Sequence, residues 1–136
     1  MTELPSGLGT LVVRTDFSDN AWWERLREAL ATPTEDGFLA EVTPLDDPRF
    51  AGVTRDEARS LLPDGYRHPI LVLADTATLS SAELPLLVVD LWEEPGRSIR
   101  VVATSMWSIE NNLSLANMEF ASYAEGVHED GVFRGF

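Results

Sequence analysis

The chain has 136 residues, a length typical of one domain, and its hydrophobic fraction of 44% is sufficient for a packed core. Its formal net charge of −13 leaves no basic surface that could neutralise phosphates, so we expect no nucleic-acid partner. All ten cationic residues are arginines and cysteine is absent, which excludes Schiff-base, thiolate and dithiol chemistry.

The composition also predicts where the protein resides. No apolar run approaches the roughly 20 residues that span a bilayer, and the N-terminus has no secretory apolar segment. We therefore expect a cytoplasmic protein with no membrane association. The absence of cysteine fits a reducing compartment, and the exclusive use of arginine favours a bacterial source with a GC-rich genome.

Five apolar segments of the chain predict β-strands. Continuous runs of Leu, Ile and Val are typical of strands that are buried on both faces, as in parallel sheets. The predicted strands are residues 11–16, 38–43, 70–75, 86–91 and 98–103.

Helix signals lie between and after these strands. Ser18 or Asp19 can cap a first helix that extends to about Ala31, with Trp22 on its apolar stripe and Trp23 at the edge of that stripe. The other predicted helices are 55–62 after a capping box at Thr54 and Glu57, one turn within 78–84, a helix from Met106 that breaks near Asn112, and 118–125 capped by Asn117.

The predicted order of elements is β-α-β-α-β-(short α)-β-β-α-α. Strands separated by helices imply right-handed crossovers, and a turn at residues 93–97 implies an antiparallel hairpin. We predict one α/β domain over residues 1–136, with a mostly parallel sheet of about five strands, helices on both faces and the hairpin at one edge. The order is similar to the thioredoxin-like fold in shape, with Pro85 where that fold keeps a cis-proline, but without its redox cysteines.

Three segments of the chain carry a family likeness: Thr10–Asp19, Trp107–Phe120 and Asp130–Phe136. Together they resemble a family of small bacterial single-domain proteins of unknown function. The resemblance implies a stand-alone domain of about this size and brings no activity, ligand or catalytic residue.

Three aspartates lie at or near the ends of predicted strands: Asp16, Asp75 and Asp90. Ligands of parallel α/β sheets gather beyond the carboxyl ends of the strands, and three convergent carboxylates could hold Mg²⁺. The alternative is structural: Asp16 caps a turn, Asp90 pairs with Arg100 across the hairpin, and Arg14 pairs with Asp75 or Asp90. We favour the structural interpretation, because no lysine and no glycine loop is available to bind a phosphate.

A second group of candidates could contact a protein partner. These residues are Trp92, Glu93, Glu94, Trp107, Asn111 and Asn112. Tryptophan is enriched at binding hot spots, and asparagine amides can recognise a peptide. The same amides can instead satisfy backbone groups at a break between two helices.

The scarcity of catalytic side chains favours a non-catalytic, acidic protein-binding module, for example an inhibitor or an immunity-type protein. We assign no catalytic residue and no cofactor to the chain. The alternatives are a Mg²⁺-dependent hydrolase that uses Asp16, Asp75 and Asp90, and a homo-oligomeric scaffold whose exposed tryptophans form its own interface.

Overall fold

The computed structural model of the chain describes residues 2–7 and 9–136. The strands within these residues are β1 (Thr10–Arg14), β2 (Val42–Leu45), β3 (Ile70–Ala74), β4 (Pro85–Asp90), β5 (Ser98–Val102) and β6 (Val132–Phe133). The α-helices are α1 (Asn20–Ala31), α2 (Arg55–Ser60), α3 (Met106–Ser114) and α4 (Phe120–Glu125). None of these helices is both long and apolar enough to traverse a lipid bilayer.

The six strands form one mixed sheet in the order β2-β1-β3-β4-β5-β6. β1 is parallel to β2 and β3, and β5 is parallel to β6, whereas β4 is antiparallel to both of its neighbours. A mostly parallel α/β sheet is therefore confirmed. The sheet has a sixth strand, and the β4–β5 hairpin lies inside the sheet because β6 covers the outer side of β5.

Both faces of the sheet are covered by apolar side chains, as the sequence predicts. Alternate residues of a strand point to opposite faces, so Val12 and Leu11 belong to different cores. Val12, Val72 and Val88 pack on the side of α1, α3 and α4. The other core contains Leu11 and Leu71, together with Ala58 of α2.

The beginnings of α1 and α2 follow the predicted capping signals. The Asp19 carboxylate accepts a hydrogen bond from the Ala21 N–H at 2.9 Å. At α2, the Glu57 N–H donates to the Thr54 hydroxyl and the Thr54 N–H donates to the Glu57 carboxylate, each at 3.2 Å. Both caps satisfy N–H groups that the first turn of a helix leaves free.

The buried stripe of α1 begins at Trp23, whereas Trp22 was predicted to lie on the stripe and Trp23 at its edge. Trp23 is 1% exposed and packs with Leu26 and Leu30, whereas Trp22 is only half-buried. The Arg25 guanidinium covers the Trp22 ring at 4.3 Å from its centre. The stripe therefore follows the i, i+3, i+7 positions that begin at Trp23.

Two predicted elements begin later than expected. The strand predicted over 38–43 begins only at Val42, because α3 holds the preceding segment by side-chain bonds outside the sheet. The last helix begins at Phe120, and Asn117 does not cap it. Its first N–H, from Phe120, donates instead to the Glu93 carboxylate at 2.6 Å. The bond before Pro85 is trans, unlike the cis-proline of the thioredoxin-like fold.

Candidate functional site

An apolar pocket lies between the end of α1, the segment that follows it, and the beginning of α3. Its volume is about 320 Å³, which falls in the usual range for sites that bind small molecules or side chains. Apolar residues of the lining include Ala29, Leu30, Phe38, Leu39, Ala40 and Trp107, and the polar ones are Thr32, Thr34 and Thr104.

Two large apolar side chains remain exposed at this pocket. Phe38 is 46% exposed and Leu39 is 44% exposed. The Phe38 ring stacks on Trp107, with ring centres 4.5 Å apart and planes 13° apart. Exposed apolar side chains that border a concave surface are typical of binding sites.

A closed loop presents these side chains. The Thr34 N–H donates to the Phe38 carbonyl at 2.9 Å, and the Phe38 N–H donates to the Thr34 hydroxyl at 3.0 Å. Gly37 has a φ of 86°, in the left-handed region that favours glycine, and its N–H donates to the Thr34 carbonyl. The loop is thus held by its own hydrogen bonds.

Two side chains of α3 fix the backbone on either side of Ala40. The buried Glu110 carboxylate accepts the Glu41 N–H at 2.6 Å, and the Asn111 amide donates to the Leu39 carbonyl at 3.0 Å. Asn111 also donates to the Trp107 carbonyl at 2.6 Å. These bonds make the pocket wall a preformed part of the fold.

Sequence reasoning missed Glu110, which is 3% exposed. Its second oxygen accepts a hydrogen bond from the Ser114 hydroxyl at 2.8 Å. The sequence did contain a signal for this role: Glu110 lies next to the apolar stripe formed by Met106, Ile109 and Leu113. A charged residue at such a position needs a buried hydrogen-bond partner.

The structure divides the predicted contact surface into separate groups. Trp107 lines the pocket, and the Asn111 and Asn112 amides are used internally, Asn112 donating to the Tyr123 hydroxyl at 2.9 Å. Trp92 is 59% exposed and follows β4, whereas Trp107 follows β5. Trp92 therefore lies in the turn between β4 and β5, and because these strands are antiparallel, the segment after β5 is at the other end of the hairpin.

The two glutamates of the predicted surface have structural partners. Glu93 accepts the Phe120 N–H, as described above, and the Glu94 carboxylate lies 3.4 Å from the Arg97 guanidinium. Both side chains are exposed. They follow Trp92 directly in the chain and do not line the pocket.

Asp90 supports a turn and does not pair with Arg100. It is 2% exposed, and its carboxylate accepts the N–H groups of Trp92, Glu93 and Glu94 at 3.0, 3.2 and 2.7 Å. The predicted pair was wrong because Arg100 lies opposite Leu87 in the hairpin.

Arg100 binds Asp75 instead, through two hydrogen bonds of 2.7 and 2.8 Å. Burial by itself raises the pKa of Asp75, but the hydrogen bonds and charge of Arg100, together with hydrogen bonds from Thr78, outweigh it and hold this pKa below its ordinary value.

The third aspartate, Asp16, closes a turn by accepting the N–H and the hydroxyl of Ser18 at 3.0 and 2.7 Å. These hydrogen bonds lower the pKa of Asp16. Asp90 faces Ile70 at the start of β3, while Asp75 follows its end, so the two carboxylates are roughly 16 Å apart along the strand. Within residues 2–7 and 9–136 no three such side chains are grouped to hold a metal ion.

The predicted partners of Arg14 were also wrong. This buried guanidinium donates to Asp46 at 3.2 Å and to the Asn20 side chain at 2.9 Å. Its third hydrogen bond goes to the Asp16 carbonyl at 2.9 Å, and the group lies over the Phe17 ring. Asp75 is bound by Arg100 and Asp90 lies opposite the start of β3, whereas Asp46 directly follows β2, a neighbour of β1.

The chain segment that supplies most of the pocket lining contains more carboxylates than arginines. Residues 24–41 contain five carboxylates and two arginines. Arg27 is hydrogen-bonded to Glu24, and Arg25 lies over Trp22. The exposed carboxylates in this stretch that lack an ion pair with any described residue are Glu28, Glu35, Asp36 and Glu41.

Comparison with known families gives one finding. A family model described as a domain of unknown function (DUF6924) matches residues 9–136. No curated protein matches the chain.

Proposed function

The chain belongs to the family of the domain of unknown function DUF6924, and on that premise we propose that it is a non-catalytic protein-binding module whose contact surface is centred on the apolar pocket. The observation that supports this proposal is a preformed apolar concavity bordered by the exposed side chains of Phe38 and Leu39. Such concavities receive an apolar anchor side chain of a partner, and anchors of this kind dominate binding energy.

The chemistry of the lining supports binding over catalysis. The described residues that line the pocket are apolar or are threonines, and none of them titrates near neutral pH. General acid–base catalysis needs a group that exchanges a proton within hydrogen-bond reach of the substrate. The separated positions of Asp75 and Asp90 likewise disfavour the Mg²⁺-dependent hydrolase.

Rigidity of the pocket wall also supports the proposal. The bonds from Glu110 and Asn111 fix the backbone near Leu39 before any partner arrives. A preformed surface loses less conformational entropy on binding, so more of the contact energy is available for affinity.

The experiment compares two leucine variants as baits in native lysate. Leu39→Glu places a charge at the pocket, whereas Leu115→Glu changes a leucine that is 69% exposed in the segment after α3. We expect wild type and Leu115→Glu to retain the same stoichiometric partner, and Leu39→Glu to lose it, because a carboxylate in the contact loses solvation without a partner.

Equal recovery by both variants, or no stoichiometric partner with wild type, would contradict the proposal. Light scattering of the purified proteins tests the remaining alternative, in which the pocket is the protein's own oligomer interface. A wild-type dimer that Leu39→Glu converts to a monomer would identify a homo-oligomeric scaffold instead.

A further inference from the structure

A second depression adjoins the first and shares a wall with it. Its volume is about 180 Å³, and Leu30, Leu39 and Ala40 border both cavities. The remaining wall of the second depression includes Ala31 of α1 and Pro44 of β2. Two apolar side chains of one partner can therefore enter on the two sides of Leu39.

The neighbouring edge of the sheet is poorly suited to pair with a partner strand. β2 is the outer strand, and the Thr10 N–H donates to the Glu41 carbonyl. Alternate residues of β2 thus bond to β1, which directs the backbone of Val42 and Pro44 outward. Proline has no N–H to donate, so of these two outward residues only Val42 offers a donor to an added strand.

The charge around both depressions selects a cationic partner. Each of the unpaired carboxylates named above lies within two residues of a residue that lines the pocket. Arg27, which lines the second depression, is hydrogen-bonded to Glu24. Opposite charges across an interface accelerate association and discriminate against acidic partners.

We propose that the two depressions together bind a basic amphipathic helix of a partner protein, with one apolar side chain of the helix in each depression. This proposal rests on the proposed function. Side chains three or four residues apart lie on one face of a helix, with Cβ atoms about 5–6 Å apart. That spacing suits two adjoining cavities that share the wall formed by Leu30, Leu39 and Ala40. A helix also satisfies its own backbone, so it needs no hydrogen bonds from the edge of β2.

The test uses labelled synthetic peptides with blocked ends and about 15 residues, since shorter helices are marginal in water. The probe contains lysine and alanine with two leucines four residues apart. One control has its leucines two residues apart, and a second has glutamate in place of every lysine. We expect the probe to bind at least about tenfold more tightly than either control, as measured by fluorescence anisotropy.

A pair of alanine variants tests the second depression separately. Ala31→Gln fills the second depression without adding charge. Ala51→Gln is the control, because it changes an exposed alanine in a turn that does not line this depression. We expect Ala31→Gln to reduce the affinity for the two-leucine probe about tenfold and to leave a one-leucine peptide unchanged. Ala51→Gln is expected to affect neither peptide.

The outcomes separate this inference from the proposed function. Equal binding of the probe and its controls, or equal effects of the two alanine variants, would overturn the helix proposal. If Leu39→Glu still loses the native partner in that case, the protein-binding function stands and only the class of partner is wrong. If Leu39→Glu also has no effect on capture, both proposals fail.

Discussion

Buried charged side chains in this protein bind backbone groups or fixed polar partners. Asp90 holds three N–H groups of one turn, Glu110 holds the segment before β2, and Arg14 joins the ends of β1 and β2. A buried charge is costly unless hydrogen bonds replace its hydration. Each of these residues therefore fixes the position of a segment that has little regular structure of its own.

Replacing Asp90 tests this role at the scale of one residue. We expect Asp90→Ala to lower the free energy of unfolding by about 2–4 kcal/mol, because it removes the acceptor of three partly buried N–H groups. Asp90→Asn keeps one acceptor oxygen and should lower the free energy of unfolding by less than half as much. Urea unfolding measures both values.

The control for Asp90 is Glu94→Gln, which alters an exposed side chain of the same turn. We expect its stability to match wild type within about 0.5 kcal/mol. If Asp90→Ala loses no more stability than the control, the turn does not depend on the Asp90 carboxylate.

At the scale of elements, the short strand β6 completes the sheet although it contains only two residues. Its Phe133 is fully buried, and the ring contacts Tyr123 with centres 5.0 Å apart. Arg134 connects this C-terminal tail, residues 130–136, to Glu83 by a hydrogen bond of 2.6 Å, and within the tail it donates to Asp130 at 2.7 Å. The tail thus contributes a core side chain and is not merely a surface extension.

A matched pair of phenylalanines in the tail tests this contribution. Phe133→Ala should lower the free energy of unfolding by about 3–5 kcal/mol, because it leaves a cavity in the core. Phe136→Ala should cost about 1 kcal/mol or less, since Phe136 is 76% exposed. Equal losses in urea unfolding would mean that Phe133 does not occupy the core.

At the scale of the whole molecule, a pair of charged side chains links distant parts of the sheet. Asp75 follows β3 and Arg100 lies within β5, so their two hydrogen bonds pass over the intervening strand β4. The pKa of Asp75 is lowered in the folded state. A lowered carboxyl pKa stabilises the fold above the pKa of the unfolded chain, and this stabilisation is lost as the pH falls through the folded pKa.

The stability difference between wild type and Asp75→Asn should therefore depend on pH. We expect wild type to be the more stable at pH 7, and the difference to shrink as the pH falls below about 4, because protonation removes the same charge from Asp75. Urea unfolding at a series of pH values measures it. Asp56→Asn, an exposed carboxylate 3.7 Å from Arg55, is the control and should give a small difference throughout. A stability difference between wild type and Asp75→Asn that stays constant with pH would contradict this role of the Asp75 carboxylate.

Local patterns were sufficient to predict the elements that depend on nearby residues. The Asp19 cap, the Thr54–Glu57 capping box and the apolar runs of β1 and β3 all reflect short-range chemistry. β6 gave no such signal, because two residues are too few to show an alternation. The beginning of β2 was predicted too early, since the segment before it is held by side chains of α3 about 70 positions away.

The sequence by itself determined the α/β class, the acidic surface and the absence of thiol and lysine chemistry, because composition and local periodicity encode these properties. Only the tertiary structure decided that Asp90 lies at the opposite end of the sheet from Asp75, that Asn111 is used internally, and that Phe38 and Trp107 form one wall of a pocket. These arrangements depend on strand order, strand direction and register. They arise from contacts between residues far apart in the chain, which no local pattern records.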